Sequence, residues 1–318
     1  MYDGALVFDG HMDTPLGMVD DGVDIGARGV AGHADLHRLA EGGVDAVFLA
    51  AWIDPAFADG RARARAEALI SVVRAAAGEY PERCTFATTA GEVRDAAASG
   101  RIALLCGLEN GQALEGDPAN VAHFRSLGAR YLTLTWMNSN ELGDAAGAEP
   151  MSGGLSPLGR DVVAEMERCG MLVDLAHAAP RTFWDAIEVA RRPVIVSHAA
   201  TEARGPHPRN LTDDQIRAVA ASGGIVGVAF YPAYLDPESG RCGRDAIVEH
   251  LLRILEVAGA DHAALGSDLD GIPRLPEGFR GAQDFALVAA DLEARGVTGG
   301  DLVRVLGGNW LRMVGDGA

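Results

Sequence analysis

The first residues that could do chemistry together are His11 and Asp13, an imidazole and a carboxylate two positions apart at the end of an apolar run. Side chains at positions i and i+2 of an extended segment point the same way, so both groups can reach one small cation. Imidazole and carboxylate together suit zinc or a similar divalent metal. A histidine at a strand end is also a common hydrogen-bonding residue, so this pair needs support from elsewhere in the chain.

Similar side chains stand at the ends of further short apolar runs. Glu109 follows the third run, His177 the fifth, His198 the sixth and Asp268 the eighth. Ordinary core histidines and surface acids would be scattered among strand starts, strand ends and helices. Four other histidines are scattered in this way, in helical or loop contexts, and we interpret them as solvated or structural: His33, His37, His123 and His250. His207 and His262 are assigned no role.

The runs that carry these residues are rich in Val, Ile, Leu and Ala and alternate with longer stretches of helical periodicity, which is typical of a parallel sheet built from strand–helix units. We count eight runs, at residues 5–9, 46–51, 102–108, 131–135, 171–176, 194–197, 225–230 and 263–267. Eight alternations predict a (β/α)8 TIM barrel, one domain over residues 1–318, with its site at the carboxyl ends of the strands. A doubly wound open sheet is the alternative.

Helical periodicity predicts helices at residues 61–77, 118–127, 158–169, 180–191, 213–222 and 245–258. Two of them have clear start signals. Ser156 followed by Pro157 offers an N-cap with proline at the first helical position, and Thr212 to Gln215 has the spacing of a capping box.

If the strand ends meet at one mouth of the barrel, their side chains suffice for two metal ions about 3.5 Å apart, with Glu109 between them. A water bridging two such cations is acidified towards hydroxide near neutral pH, which makes it a nucleophile for a carbonyl carbon. Asp268, on the opposite side, could hold and transfer the proton.

The chain contains no lysine, so all 27 basic residues are arginine. Lysine Schiff-base chemistry is therefore excluded. A carbamylated lysine, which bridges two metals in some hydrolases, is excluded as well, and any bridging ligand must be a carboxylate. The 45 acidic residues bring the net charge to -18, which disfavours binding to nucleic acid or to anionic membrane surfaces.

The four cysteines have no CxxC or ribbon spacing, so we interpret them as reduced core thiols. No apolar run reaches membrane-spanning length, and only a few residues separate Met1 from the first predicted strand. We therefore expect a soluble, cytoplasmic protein without a signal peptide or a membrane anchor.

The chain resembles the membrane dipeptidase (renal dipeptidase) family of the metal-dependent amidohydrolase superfamily nearly end to end. The order and separation of several short motifs carry the resemblance: Asp9-Gly10-His11-Met12-Asp13, Gly107-Leu108-Glu109-Asn110-Gly111, Tyr131-Leu132-Thr133-Leu134-Thr135, Asp174-Leu175-Ala176-His177, Ser197-His198, Arg209-Asn210-Leu211, Gly266-Ser267-Asp268-Leu269-Asp270-Gly271 and Gly307-Gly308-Asn309-Trp310-Leu311-Arg312.

The resemblance implies a (β/α)8 barrel that uses two Zn²⁺ ions to hydrolyse dipeptides, often with tolerance for a D residue at the C-terminal position. Its metal ligands would be His11 and Asp13 on one ion, His177 and His198 on the other, and Glu109 between them. Asp268 would take the proton from the attacking water and pass it to the leaving amine. Arg209 would pair with the C-terminal carboxylate of the substrate, a task that suits a bidentate guanidinium. Taken alone, Arg209 would be interpreted as a surface loop cation.

One position departs from the family pattern. The better-studied members carry a histidine after Thr133-Leu134-Thr135, which donates to the developing oxyanion, whereas this chain has Trp136. An indole N–H can donate one hydrogen bond, but it cannot act as an imidazolium. Trp136 either shapes the substrate pocket, with Asn138 or Asn140 as the replacement donor, or simply packs. Loops 137–155 and 199–211 are expected to form much of the pocket rim.

The leading hypothesis is a binuclear zinc dipeptidase, acting on L-Xaa-D-Xaa or L-Xaa-L-Xaa dipeptides through metal-activated hydroxide. The alternatives are a related amidohydrolase for N-acyl amino acids, lactams or a peptide-like metabolite, and a metal-bound barrel that binds peptides without turnover. Members of the family are often homodimers, so a homodimer is a further expectation from the resemblance.

Overall fold

The computed structural model describes residues 5–316. Strands and helices alternate along this part of the chain. The strands are β1 (Val7–Met12), β2 (Val44–Trp52), β3 (Cys84–Phe86), β4 (Ile102–Glu109), β5 (Ala129–Thr133), β6 (Leu172–Asp174), β7 (Ile195–Ala199), β8 (Ile225–Val228) and β9 (Ala263–Leu265). The helices are α1 (Thr14–Asp20), α2 (Leu36–Glu41), α3 (Ala62–Glu79), α4 (Ala90–Ala98), α5 (Ala119–Leu127), α6 (Pro157–Cys169), α7 (Pro180–Val189), α8 (Asp213–Ala221), α9 (Pro232–Leu235), α10 (Asp245–Ala258), α11 (Phe285–Ala294), α12 (Gly299–Val303) and α13 (Asn309–Val314).

Eight of these strands form a closed parallel ring in the order β1, β2, β4, β5, β6, β7, β8, β9. The ring closes where Asp9 of β1 pairs with Leu265 of β9. The predicted (β/α)8 TIM barrel is therefore confirmed. The open doubly wound sheet is wrong, because an open sheet would leave β1 and β9 apart.

The ninth strand, β3, lies outside the ring. It pairs with Ile102 to Leu104 at the beginning of β4, whereas β5 pairs with the later part of β4, from Cys106 onwards. The sequence analysis missed this strand, because three residues are too few to show a periodicity. It also missed several helices, among them α4 and α11.

Both predicted helix starts are confirmed. The Ser156 hydroxyl accepts a hydrogen bond from the Gly159 N–H at 3.0 Å, and Pro157 opens α6. The capping box of α8 has both of its bonds: the Thr212 hydroxyl accepts from the Gln215 N–H at 3.2 Å, and the Gln215 side chain accepts from the Thr212 N–H at 2.9 Å. These bonds satisfy N–H groups that a helix start leaves without partners.

Aromatic rings fill the barrel interior and lead towards the carboxyl ends of the strands. Trp310 contacts Phe48, with ring centroids 5.4 Å apart, and Phe48 contacts Tyr131 at 4.9 Å. Glycines make room for these rings. A Cβ atom on Gly10 would lie 2.0 Å from the Trp310 ring, and one on Gly107 would lie 2.0 Å from the Tyr131 ring.

Among the described residues, no helix combines the length and the apolar character needed to cross a membrane. The four cysteines are free, as predicted, and Cys84 and Cys106 are buried.

Candidate metal centre

The five predicted ligands come together at the carboxyl ends of the strands. His11 is in β1 and Asp13 directly follows it, Glu109 ends β4, His177 lies three residues beyond β6, and His198 is in β7. All five are buried. Residues far apart in sequence thus meet at one mouth of the barrel, because parallel strands end at the same edge.

Glu109 lies between the other ligands, and its two carboxylate oxygens face different partners. Its Oε2 atom is 3.3 Å from His11 Nε2, and Asp13 Oδ2 lies 3.6 Å from the same nitrogen. On the other side, Glu109 Oε1 is 2.9 Å from His177 Nε2 and 3.5 Å from His198 Nε2. The carboxylate therefore stands between two groups of ligands.

The charge states of three ligands, His177, His198 and Glu109, favour cation binding. At His11, although burial lowers the pKa, the neighbouring Tyr131 and Glu109 raise it well above the usual range, so a cation would displace a proton from this ring. Burial lowers the pKa of His177 to about 4, helped by the charge of Arg209, and burial also holds the pKa of His198 well below its usual range. Although burial opposes ionisation of Glu109, the neighbouring His11 and His177 hold its pKa well below the ordinary value. Neutral imidazoles and ionised carboxylates are the forms that bind metals.

Unpaired buried atoms provide a direct test of whether a metal fits. His11 Nε2 and Asp13 Oδ1 are buried and have no hydrogen-bond partner. Buried polar atoms are normally paired, and two unpaired ligand atoms beside a carboxylate are what a cation site requires. His11 also forms compact three-residue groups of potential ligand atoms, one with Glu109 and His198 and one with Asp13 and Asp268.

A second set of residues orients the ligands. The Tyr131 hydroxyl lies 2.8 Å from His11 Nδ1, and its second contact is the Gly10 carbonyl oxygen at 3.3 Å. A tyrosine hydroxyl that donates to this carbonyl accepts from Nδ1–H, which leaves the Nε2 lone pair of His11 free to face the centre.

His198 has a comparable support. Its Nδ1 atom is 2.9 Å from the Ser197 hydroxyl, which donates to Asp174 Oδ2 at 2.5 Å. Asp174 also accepts from the Thr133 hydroxyl at 2.6 Å and from the Ser197 N–H at 2.8 Å. Because the hydroxyl proton of Ser197 is committed to Asp174, its oxygen accepts from Nδ1–H of His198. The Nε2 atom of that ring then keeps its lone pair for a metal.

The same pairing occurs between β1 and the segment that follows β9. The Ser267 hydroxyl donates to Asp9 Oδ2 at 2.7 Å, and the Ser267 N–H donates to Asp9 Oδ1 at 2.8 Å. Here, however, the serine hydroxyl contacts no histidine ring, and it also contacts the His11 carbonyl oxygen at 3.4 Å. In both pairs a buried aspartate links two neighbouring strands that carry site residues.

Backbone strain is concentrated at the same mouth. His177, Asp268 and Asp270 have left-handed φ values of 66°, 64° and 67°. Residues with a Cβ atom rarely adopt this conformation, and it is retained where the surrounding structure determines it. Gly271 is required beside them, because a Cβ there would lie 2.1 Å from Asp13 Oδ2 and 2.6 Å from Asp268 Oδ1.

Asp268 lies three residues beyond the end of β9, close to His11 and Asp13. Burial raises its pKa well above the ordinary value, and the negative charges of Asp13 and Glu109 add to this effect, although His11 opposes it. A raised pKa makes a carboxylate a better proton acceptor than an ordinary aspartate. Its position and its chemistry are therefore those expected of a proton carrier.

Arg209 lies at the same mouth, on the loop after β7. The side chain is buried, its Nη2 donates to the His198 carbonyl at 3.3 Å, and its guanidinium carbon lies 5.3 Å from the centre of the Tyr234 ring. Its Nε atom is buried without a partner. The interpretation as a surface loop cation is therefore wrong, because the guanidinium is buried beside His198, although Arg209 is not among the residues that line the cavity above the cluster.

A cavity of about 430 Å³ opens above the cluster. Its lining includes Asp13, Glu109, His177, Asp268 and Trp136 from the predicted set. The lining residues that the sequence analysis did not identify include Leu16, Trp52, His207, Tyr231, Tyr234 and Asp270. Trp52 could have been found, because it directly follows a predicted strand, and His207 precedes Arg209 by two positions. Tyr231 likewise directly follows the predicted strand at residues 225–230, whereas nothing local in the sequence marks Tyr234.

The replacement donors suggested for the loop after β5 are not brought into the cavity. The Asn140 amide donates to Asn110 Oδ1 and to the Leu134 carbonyl, both at 3.0 Å, and its own oxygen accepts from the Leu142 N–H. Asn138 bonds Gln112 and is also absent from the lining. Both amides hold the loop together, so this geometry does not favour their predicted contact with substrate.

Trp136 is half-buried and lines the cavity. Its ring centre is 4.8 Å from that of Trp52 and 6.3 Å from that of His177. Of the two interpretations, shaping the pocket therefore accounts for its position, whereas plain core packing does not.

Known proteins that are similar to this chain include dipeptidases. A family model described as membrane dipeptidase (peptidase family M19) matches residues 2–317. An uncharacterized dipeptidase of Schizosaccharomyces pombe is 32% identical, over 96% of this chain and 80% of the relative. Dipeptidase tcpJ of Claviceps purpurea is also 32% identical, over 90% of this chain and 70% of the relative.

Solved structures show the same relationship. A Rhodobacter sphaeroides metallo peptidase, liganded with a phosphinate mimic of the dipeptide L-Ala-D-Ala, superimposes with a TM-score of 0.90 at 27% identity and covers 99% of each chain. With the match of the family model over nearly the whole sequence, these findings show that the chain belongs to the membrane dipeptidase family, peptidase family M19.

Proposed function

We propose that this metal-dependent dipeptidase works with two zinc ions, one beside His11 and Asp13, the other beside His177 and His198, with Glu109 as the bridge. The observation that carries the proposal is the position of Glu109, whose two oxygens face the two groups of ligands separately. Imidazole and carboxylate ligands suit zinc. The absence of lysine leaves a carboxylate as the bridging group.

The chemistry that bound zinc supplies is polarisation of the scissile carbonyl and activation of the attacking water. Asp268 would accept the proton of that water and return it to the leaving amine, a cycle that its raised pKa suits.

Arg209 would hold the C-terminal carboxylate of the dipeptide. Its guanidinium has an unpaired Nε atom and is held in place by the His198 carbonyl and the Tyr234 ring. His207, which lines the cavity, accepts from the Arg209 N–H through Nδ1 at 3.1 Å. The proton of a neutral His207 ring is therefore on Nε2, which makes this atom a second available donor near Arg209.

The experiment combines metal removal with substrate blocking. A chelator should abolish hydrolysis of a panel of L,L and L,D dipeptides, and added zinc should restore it. Arg209→Ala should lower kcat/KM for free dipeptides by about 10²- to 10³-fold, because it removes a buried charged contact. It should change hydrolysis of a dipeptide amide far less. Arg204→Ala is the matched control, since Arg204 lies in the same loop but pairs with Glu249 at the surface.

Equal effects of Arg209→Ala on kcat/KM for the free dipeptide and for its amide would contradict the carboxylate contact.

The alternative amidohydrolase is tested by adding N-acyl amino acids and lactams to the substrate panel, because it predicts turnover of these compounds in place of dipeptides. Metal analysis of Glu109→Gln checks the bridge: loss of one ion or both is expected, and full retention of two would contradict it.

The cytoplasmic location and the homodimer stay predictions. Cell fractionation checks the first, and sedimentation of the purified protein checks the second.

A further inference from the structure

The carboxyl mouth of the barrel has an aromatic wall formed by Trp52 and Trp136. The two indole rings meet edge to face, and both line the cavity together with Met137. The side chain of Met137 is 55% exposed, which is unusual for a large apolar group. Trp52 Nε1 is buried and has no hydrogen-bond partner, so this ring is not held in place by a polar contact of its indole.

The wall lies across the barrel from Arg209. In the ring of eight strands, β2 is four positions away from β7 in either direction. Trp52 is the last residue of β2 and is paired in register with Glu109, whereas Arg209 is on the loop that follows β7. Trp136 follows β5, which is two positions from β2 and two from β7, and its ring extends the wall by packing against Trp52. The metal cluster therefore lies between the aromatic wall and Arg209.

This arrangement gives a bound dipeptide a direction. The inference rests on the proposed function, in which Arg209 holds the C-terminal carboxylate and the scissile carbonyl lies beside Glu109. A dipeptide held in this way points its N-terminal residue away from Arg209. That residue then meets Trp52 and Trp136.

The chemistry of the wall is apolar, whereas the floor is acidic. Ile272 and Pro273 face the cavity as well, and none of the wall side chains carries a charge. The charged groups that line the cavity are Asp13, Glu109, Asp268 and Asp270, carboxylates at the level of the strand ends. In the proposed function Asp13 and Glu109 bind zinc and Asp268 carries the proton, which leaves Asp270 as the lining carboxylate that suits the α-ammonium group of the N-terminal residue. The indoles suit a large apolar side chain.

We propose that the preferred substrates are dipeptides whose N-terminal residue has a large apolar or aromatic side chain, recognised by Trp52 and Trp136. The cavity of about 430 Å³ is large enough for a dipeptide with one bulky side chain. Glycine and alanine at the N-terminal position would leave the indole faces uncovered, and an acidic residue would place its charge against an apolar wall.

The test compares four dipeptides that share a C-terminal alanine: Phe-Ala, Leu-Ala, Ala-Ala and Asp-Ala. With the wild-type enzyme, kcat/KM for Phe-Ala should exceed that for Ala-Ala by about 10- to 100-fold, as expected from burial of an aromatic side chain. In Trp136→Ala this ratio should fall to within about threefold of unity, and Trp136→Phe should restore most of it. Because the ratio compares two substrates of one enzyme, a general loss of turnover does not affect it.

Trp184→Ala is the matched control, because Trp184 is an exposed tryptophan on α7 that does not line the cavity. Its substrate ratio should equal that of the wild type. Equal kcat/KM values for Phe-Ala and Ala-Ala in the wild type would overturn the inference and leave the dipeptidase assignment intact. An unchanged ratio in Trp136→Ala would overturn it as well. If the zinc-loaded enzyme hydrolysed none of the four dipeptides, the proposed function would be overturned, and the inference with it.

Discussion

Ser197 supports a proposed metal ligand, and its removal should weaken zinc binding. The Ser197 hydroxyl makes two buried contacts, to Asp174 Oδ2 at 2.5 Å and to His198 Nδ1 at 2.9 Å. Ser197→Ala leaves the Nδ1–H of His198 buried without an acceptor, which typically costs about 1–3 kcal/mol. It also frees the imidazole to take the other tautomer or to rotate, and loss of such support lowers metal affinity by about 10- to 100-fold.

The structure contains a matched control for this substitution. Ser267 makes the same kind of contact to Asp9, and its hydroxyl touches the His11 residue only at the backbone carbonyl, at 3.4 Å, and not at the ring. Ser267→Ala should therefore lower the free energy of unfolding of the metal-free protein by a similar amount, about 1–2 kcal/mol. It should leave zinc affinity close to that of the wild type.

Two measurements separate the effects. Urea unfolding of the metal-free proteins reports the loss of stability, and competition with a chromophoric chelator reports zinc affinity. A selective loss of zinc affinity in Ser197→Ala is the expected result. The reasoning is refuted if folded Ser197→Ala binds zinc as tightly as the wild type, or if Ser267→Ala loses as much affinity.

Three further predictions concern packing, pH and helix capping. Gly107→Ala places a Cβ about 2.0 Å from the Tyr131 ring. Because the tyrosine must shift, we expect the free energy of unfolding, measured in urea, to fall by about 1–3 kcal/mol and zinc binding to weaken. Unchanged values would contradict the close contact. Burial raises the pKa of Asp9 to about 7, so the folded metal-free protein keeps a proton that the unfolded chain releases above about pH 4, and stability falls as pH rises towards 7. Asp9→Asn should remove this pH dependence. The free energy of unfolding of the variant, relative to that of the wild type, should therefore increase by a few kcal/mol from about pH 4 to about pH 8. Parallel pH profiles of the two proteins in urea unfolding would contradict this prediction. Thr212→Ala should lower the free energy of unfolding by about 1 kcal/mol, because α8 loses its N-cap, and should leave activity per folded molecule unchanged. Asp214, in the first turn of the same helix, is the control: an equal loss of stability in Asp214→Ala would show that the cap is not responsible.

Much of the barrel was predictable because its strands are buried on both faces and read as continuous apolar runs. The run at residues 102–108 matches β4 within one residue, and the helix at residues 245–258 matches α10 at both ends. The shortest strand elements were less predictable. The run at residues 171–176 contains only three strand residues, because the chain leaves the sheet early to bring His177 to the centre in a left-handed conformation.

The cavity wall was predicted in part. Trp136 was identified because it stands where related proteins have histidine, whereas Trp52 was not, although both rings belong to one contact. Asn140 was assigned to the pocket because it is polar and close in sequence to Trp136. The fold instead turns its amide towards Asn110 and the Leu134 carbonyl, since a buried loop needs partners for its own backbone.

The sequence by itself determined which groups could bind metal, because the types and spacing of His11, Asp13, Glu109, His177 and His198 at strand ends are local features. It also excluded any lysine bridge by composition alone. Only the tertiary structure decided what orients those groups. The Tyr131 hydroxyl reaches His11 across 120 positions of the chain, and the aromatic wall joins residues from β2 and the loop after β5. Contacts of this kind depend on strand register and on the packing of rings against glycine, neither of which a local pattern encodes.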